Sequence, residues 1–200
     1  SHGSVIKALI QRETIPQEGA LVSFRDGMQE LTDALARDLG PALRLGAGVA
    51  QVRRGPKGWT VGAAFQASEL YDGVVCALPA HCADELDLGF EGAERLKTLA
   101  SIPHPPVTVL ALGFRREEVS HPLDGYGFLV PEVERKHVLG ALFSSTLFPG
   151  RAPQGHVAVT AFVGGVRNPD LAHADLNTIT ARVQDDLRTL IGARGEPTFR

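Results

Sequence analysis

Three of the five residues at positions 102–106, "IPHPP", are proline. Proline fixes φ and has no backbone N–H, so neither a helix interior nor a central strand can run through this segment. The segment therefore predicts a crossover between two structural units. We place the boundary near Ile102, which divides the 200 residues into segments 1–101 and 102–200.

The second segment reads as an antiparallel sheet backed by a helix. Four apolar runs of strand length, "VTVLALGF", "GYGFLVP", "HVLGALFSS" and "HVAVTAFVGG", are separated by turn-rich spacers. After them, residues 175–192 begin with Asp, end with Gly and carry apolar residues at helical spacing. This pattern predicts the last long helix of the chain.

The first segment mixes helices with strands. Residues 5–10 predict a short helix, and a longer one over 25–40 carries an apolar stripe of Met28, Leu31, Leu35 and Leu39. Strands are predicted in 43–54 and 58–67, a buried strand in 71–80, and helical segments in 79–86 and 92–101. The fold class is α+β: an antiparallel or mixed sheet backed by helices, with a partial strand–helix segment before it.

Composition excludes several function classes. The net charge is -3 without a cluster of Lys and Arg, so the chain is not expected to bind nucleic acid. No apolar run approaches the ~18 residues of a membrane span. The two cysteines, Cys76 and Cys82, fit reduced thiols in a cytoplasmic protein, because a disulfide would need an oxidising compartment.

The usual catalytic patterns are missing from the sequence. No two histidines are spaced i, i+4 as metal ligands, and neither G-x-S-x-G nor a P-loop occurs. The acidic pair Asp185–Asp186 is interpreted as solvated helix positions rather than an acid/base dyad. We therefore predict no catalytic side chain and no metal site. Any catalysis would depend on a cofactor that carries the chemistry.

The stretch "HPLDGYGFLVP" has glycines alternating with aromatic residues. Glycine weakens a strand and packs nothing, so the pattern indicates either a bulged hairpin corner or a face against which another body lies flat. With a period of two, Tyr126 and Phe128 share one face. Gly125, Gly127 and Leu129 share the other.

The order and spacing of several segments resemble one family over about residues 2–199. "SFRDGMQELTDALARDLG", the "GAGV" strand and "YDGVVCALPAH" are similar to the central part of flavin-dependent amine-oxidase-like enzymes. "IPHPPVTVLALGF", "HPLDGYGFLVP", "HVLGALFSSTLFPGRAP" and "VTAFVGGVRNPDL" resemble bacterial protoporphyrinogen oxidases, including the related coproporphyrinogen oxidases.

The resemblance implies an FAD-dependent oxidoreductase as the parent of this chain. The family's dinucleotide fingerprint and its second flavin-binding motif do not occur here. We therefore expect an internal fragment, with 1–101 the incomplete central part of an FAD-binding domain and 102–200 a portion of the substrate-binding domain. Alone, it is expected to be inactive and unable to retain FAD, because the glycine-rich turn that takes the pyrophosphate is absent.

The resemblance also assigns cofactor-binding positions. Val49 matches the residue whose backbone meets the adenine, and Ala77, Leu78 and Pro79 match a strand end beside the flavin. Gly27 matches a glycine that lets the chain approach the cofactor. The family more usually has two glycines there, and Asp26 occupies the first position, where it also suits a helix N-cap. A plain core position is the alternative for Val49.

Substrate-binding positions follow in the same way. Tyr126, Gly127 and Leu129 match the family's substrate-pocket segment, and Leu142 and Phe162 match apolar walls on neighbouring strands; the alternative for all of them is sheet core. Arg167 could face a propionate carboxylate bidentately or lie in a surface turn.

The implied reaction is oxidation of protoporphyrinogen IX or coproporphyrinogen III to the porphyrin in haem biosynthesis, with hydride passing to the flavin and oxygen reoxidising it. An amine oxidase or desaturase relative, and a non-catalytic binding domain derived from such an enzyme, are the alternatives. The expected location is the cytoplasm. Peripheral association of the parent with the inner membrane, and a homodimer, stay open.

Overall fold

A computed structural model describes residues 22–63 and 67–200; the helix predicted over residues 5–10 lies outside these ranges. The chain divides into two units, one ending at Asp38 and the other beginning at Leu39. The first unit contains most of helix α1, Gln29–Leu39. Met28, just before the helix, and Leu31 and Leu35 within it were predicted as an apolar stripe, and all three are exposed. At its start, the Glu30 carboxylate accepts the backbone N–H of Asp26 at 2.6 Å.

The second unit opens with a mixed four-stranded sheet in the order β3-β2-β1-β4. Strands β1 (Val49–Gly55) and β2 (Gly58–Ala63) overlap the two segments predicted as strands, and the structure pairs them as an antiparallel hairpin. The short strands β3 (Glu69–Tyr71) and β4 (Asp87–Gly89) lie at the two edges, and β4 is parallel to β1. Helix α2, Ala93–Lys97, follows with a 3-10 turn over Thr98–Ser101, which confirms the helical segment predicted there.

The buried strand predicted over residues 71–80 was wrong. Only Tyr71 belongs to a strand, and residues 72–79 form an exposed loop in which Val75 is 93% exposed. A strand needs a neighbour for its backbone N–H and C=O groups. Among the described residues, no strand pairs with this loop. A 3-10 helix over Ala80–Glu85 follows it.

The second sheet is fully antiparallel, with the order β5-β8-β7-β6. Its strands correspond to the four predicted apolar runs: β5 Val107–Arg115, β6 Gly127–Leu129, β7 Val138–Leu142 and β8 His156–Gly164. Helix α3, Ser144–Leu147, follows β7, and helix α4, Leu176–Leu190, follows β8. The antiparallel sheet and its helix were therefore predicted correctly.

One face of the second sheet and helix α4 form the core of this unit. Buried residues alternate along the strands and recur at helical spacing on α4, as the sequence pattern requires. The central members are Leu112, Phe114, Val138, Val159, Ala161, Val163, Val183 and Leu187. Asp175 caps α4 by accepting the backbone N–H groups of Asn177 and Thr178.

The interpretation of Asp186 as a solvated residue was wrong, whereas Asp185 is exposed as expected. Asp186 is 5% exposed and its Oδ2 accepts the backbone N–H groups of His137 at 2.6 Å and Val138 at 3.0 Å. Helical spacing places Asp186 beside the buried Val183, three residues earlier, on the inward side of α4. The carboxylate thereby fixes the start of β7 to the helix.

Both cysteines are free thiols. Within the part of the chain that the structure describes, no helix has the length and apolar character needed to cross a membrane.

Candidate functional site

The side of the second sheet opposite α4 carries an open apolar surface, which we call the open face. The strand register aligns two rows of residues across it. One row consists of Val109, Phe162, Gly140 and Leu129. The other consists of Ala111, Thr160, Leu142 and Gly127.

The open face is apolar and largely uncovered. Leu129 is 89% exposed, Val109 and Leu142 are exposed, and Phe162 is half-buried. No residue of the two rows is ionisable, and Thr160 alone among them has a polar side chain. A contiguous exposed apolar patch of this kind marks an interaction or ligand site. Its strands are held in place by the core on the opposite side of the sheet.

Four residues assigned to the substrate from sequence come together here: Gly127, Leu129, Leu142 and Phe162. Tyr126 precedes β6 and is 67% exposed, while its carbonyl accepts the backbone N–H of Phe143 at 3.0 Å. The predicted alternation holds within β6, because Phe128 packs against the core whereas the adjacent Leu129 lies on the open face.

The structure offers a backbone reason for one of the two glycines of the alternating motif. Gly127 has a φ of 145°, which L side chains rarely adopt. A Cβ at this position would overlap the carbonyl oxygen of Ala141 and the Cα of Leu142. The close approach of β7 therefore requires glycine at this point. At Gly125, a Cβ would meet nothing within 4 Å.

Arg167 is half-buried and lies beyond the end of β8. Its Nη2 donates to the carbonyl oxygen of Val130 at 2.8 Å, which connects this loop to the residue after β6. Its Nη1 is buried without a hydrogen-bond partner among the described residues. Arg167 is therefore a fixed structural contact with one guanidinium nitrogen still unpaired.

Val49 lies on the first sheet and lines a hollow of about 410 Å³. At its edge, Arg44 forms a 2.5 Å ion pair with Glu69, and the Tyr71 hydroxyl donates to the same carboxylate at 2.8 Å. The Arg44 guanidinium, and then the Tyr71 hydroxyl, hold the pKa of Glu69 below its ordinary value. The same hydrogen bonds to Glu69 raise the pKa of Arg44 and of Tyr71.

Leu78 and Pro79 line a second, apolar cavity of about 340 Å³ together with Trp59, Phe90 and Leu96. Ala77 belongs to the same exposed loop. Gly27, in the first unit, has a φ of 103° and precedes α1. The structure therefore does not gather the residues assigned to the cofactor into one pocket: Val49 and the Leu78–Pro79 pair line different cavities.

One polar feature of the open face was missed in the sequence. Thr160 Oγ1 and Ser144 Oγ are 2.7 Å apart, so the two hydroxyls form a hydrogen bond at the end of β7. The only sequence signal was a threonine at an alternate position of the run "HVAVTAFVGG". Its partner is sixteen residues away, and only the pairing of β7 with β8 brings the two together.

Comparison with known proteins assigns the chain to a family. A family model described as flavin containing amine oxidoreductase matches residues 2–199. The chain belongs to this family. A flavin is accordingly the cofactor type of its relatives, and the α+β architecture with two helix-backed sheets agrees with the family's fold.

Within the flavin amine oxidoreductase family, the relatives of this chain include porphyrinogen oxidases. The mitochondrial protoporphyrinogen oxidase of Nicotiana tabacum is 36% identical over 193 residues, which cover 88% of this chain and 38% of that protein. The coproporphyrinogen III oxidase of Staphylococcus aureus is 24% identical over 202 residues, covering 96% and 42% respectively.

A crystal structure from Exiguobacterium sp. 255-15 has the same fold, with a TM-score of 0.67 and 20% identity over 96% of this chain and 40% of that one. The chain thus spans 38% of the length of the tobacco relative and 42% of the staphylococcal one.

Proposed function

We propose that this chain is part of a longer FAD-dependent oxidase that converts protoporphyrinogen IX or coproporphyrinogen III to the porphyrin in haem biosynthesis, with oxygen as the electron acceptor. We call that longer protein the parent protein. In it, residues 1–101 contribute to the FAD-binding domain and 102–200 to the substrate-binding domain. The similarity to proteins named protoporphyrinogen and coproporphyrinogen III oxidase supports the choice of substrate.

The observation that carries the proposal is the open face. Adjacent strands are about 4.8 Å apart and alternate residues of a strand about 6.7 Å apart, so its two rows span about 14 Å by 7 Å. Leu129, Leu142 and Phe162, together with Val109 and Ala111, make that area largely apolar. A macrocycle that is large and flat in its oxidised form suits such a wall, since burial of apolar area holds it without directional contacts.

We assign roles to the remaining substrate residues in the same proposal. Gly127 leaves the wall thin beside Leu142, and Tyr126 lies at its edge. Arg167 is the candidate counter-charge for a propionate. Its Nη2 donates to the Val130 carbonyl and its Nη1 is buried, so a carboxylate would have to use the remaining N–H groups of the guanidinium.

The residues present suit the apolar parts of FAD and not its diphosphate. Val49 borders a hollow, and Leu78 and Pro79 line an apolar cavity, so they could contact ring systems; Ala77 and Gly27 would contribute backbone. A diphosphate needs backbone N–H groups at a helix N-terminus after a glycine-rich turn. Here the glycine-rich segment before Val49 leads into strand β1 instead.

When bound, the flavin would supply the hydride acceptor for the reaction. The work of this chain is positioning: the open face orients the macrocycle and excludes water from one side of it. No side chain of the open face is required as a general acid or base, which agrees with its lack of ionisable groups.

The test is to incubate the parent protein with each porphyrinogen under air and to measure porphyrin formation by its absorbance. We expect oxidation of at least one of them, and failure to oxidise either would contradict the proposed activity. In a separate titration, the isolated 200-residue chain is expected not to bind FAD tightly. Tight, stoichiometric binding would show that the chain carries a diphosphate site that the sequence does not reveal.

A further inference from the structure

The Thr160–Ser144 hydroxyl pair interrupts an otherwise apolar surface. Thr160 lies between Ala111 and Leu142 in its row, and its neighbour along β8 on the same face is Phe162. A ligand that covers Leu142 and Phe162 therefore also covers Thr160, which is within about 7 Å of both along or across the strands.

The pair keeps hydrogen-bonding capacity whichever hydroxyl is the donor. Each hydroxyl has one proton and two acceptor lone pairs. If Ser144 donates to Thr160, one lone pair and the proton of Thr160 remain. If Thr160 donates to Ser144, both of its lone pairs remain. In either arrangement, Thr160 Oγ1 keeps at least one lone pair that can accept a further hydrogen bond.

The surroundings select the kind of group that this oxygen can receive. A carboxylate placed here would lose its hydration and gain hydrogen bonds from neutral hydroxyls alone. Burying a charge without an opposite charge costs much free energy. A neutral N–H is a better match. A pyrrole N–H laid against leucine and phenylalanine would otherwise lose its hydrogen bond to water, and an unsatisfied buried donor is expensive.

We propose that Thr160 Oγ1, held by Ser144, accepts a hydrogen bond from a pyrrole N–H of the porphyrinogen and so sets the position of the macrocycle on the open face. This inference rests on the proposed function. Thr160 is thus a positioning and specificity residue and takes no part in the redox chemistry.

The contact distinguishes substrate from product. Every pyrrole nitrogen of a porphyrinogen carries a hydrogen, and its saturated bridges let the rings tilt an N–H toward one side. A porphyrin has lost half of these hydrogens and holds the rest in the plane of the ring. The product therefore cannot reach Thr160 as the substrate does, and the contact favours substrate binding over product retention.

The test compares three variants of the parent protein. Thr160→Val removes the hydroxyl at nearly constant volume, and Thr160→Ser keeps it. The control is Thr108→Val on β5, whose hydroxyl donates to the carbonyl of Ala172 at 2.7 Å and whose cross-strand neighbour, Val163, is fully buried. Flavin content and thermal midpoint are recorded for each variant, so that misfolding is not mistaken for lost binding.

Thr160→Val is expected to raise KM for the porphyrinogen about five- to tenfold, which corresponds to about 1–1.4 kcal/mol for one neutral hydrogen bond. Its kcat should change little, and inhibition by the porphyrin product should change less than KM. Thr160→Ser and Thr108→Val should keep the wild-type KM. If Thr160→Val does not yield a flavin-loaded protein, Thr160→Ala replaces it in the same comparison.

Two results would overturn the inference while leaving the proposed function intact. One is an unchanged KM in a folded, active Thr160→Val protein. The other is an equal rise in KM for Thr160→Ser, which would assign the effect to side-chain shape rather than to the hydroxyl. If the wild-type protein oxidises neither porphyrinogen, the proposed function itself fails, and that outcome is visible before any variant is measured.

Discussion

Replacing Gly127 with alanine tests why the alternating motif carries a glycine at that point. The residue has a φ of 145°, and its added Cβ would overlap backbone atoms of Ala141 and Leu142. Adopting such a φ costs a non-glycine residue about 1–3 kcal/mol. The overlap is with backbone, so no side-chain rotation relieves it, and β6 must move away from β7.

Together these terms predict that Gly127→Ala lowers the free energy of unfolding by about 2–4 kcal/mol. Gly125→Ala is the matched control, two residues earlier, where a Cβ would meet nothing within 4 Å. It is expected to change stability by no more than about 0.5 kcal/mol.

The assay is urea unfolding of the parent protein and its two variants, with substrate KM measured in parallel. Equal unfolding midpoints for Gly127→Ala and Gly125→Ala would refute the backbone argument. An unchanged midpoint together with a raised KM would instead show that the glycine serves the ligand alone.

Three further predictions concern the open face and helix α4. Leu129→Arg places a charge on the most exposed wall residue and should raise KM for the porphyrinogen at unchanged FAD content; unchanged KM and rate would remove Leu129 from the pocket. Asp186→Ala leaves two backbone N–H groups at the start of β7 without an acceptor, so it should lower the free energy of unfolding in urea by about 2–4 kcal/mol. Asp185→Ala, on the exposed side of the same helix, should change it little. Hydrogen bonds from the Thr178 hydroxyl and backbone N–H hold the pKa of Asp175 below its ordinary value. The stability from this cap is therefore complete above the ordinary carboxyl range and lost as the pH falls through the lowered pKa, so Asp175→Ala and wild type should converge in thermal midpoint at acidic pH; a constant difference down to low pH would contradict this.

Much of the second sheet was predictable because its signals are local. An apolar run between turn residues predicts each strand. The helical spacing of its apolar residues, its Asp cap and its terminal Gly predict α4. The same reasoning failed for residues 71–80, where an apolar run predicts a buried strand and the structure has an exposed loop. An apolar run gives a tendency to be buried, but burial also requires a neighbouring element.

The candidate site divides in a similar way. Leu129, Leu142 and Phe162 were assigned from the resemblance, and the register then placed them on one surface. Asp186 was misjudged because its neighbour Asp185 suggested a solvated pair, although helical geometry turns the two side chains in different directions.

The sequence by itself determined the alternation of the strands, the apolar stripe of α4 and membership of the flavin amine oxidoreductase family. Each of these depends on residues close together in the chain or on the order of segments along it. Only the tertiary structure decided that Gly127 is needed by the backbone of β7, that Asp186 is buried, and that Thr160 meets Ser144. These properties depend on strand register and on the packing of α4. Both are set by contacts between residues far apart in sequence, which no local pattern records.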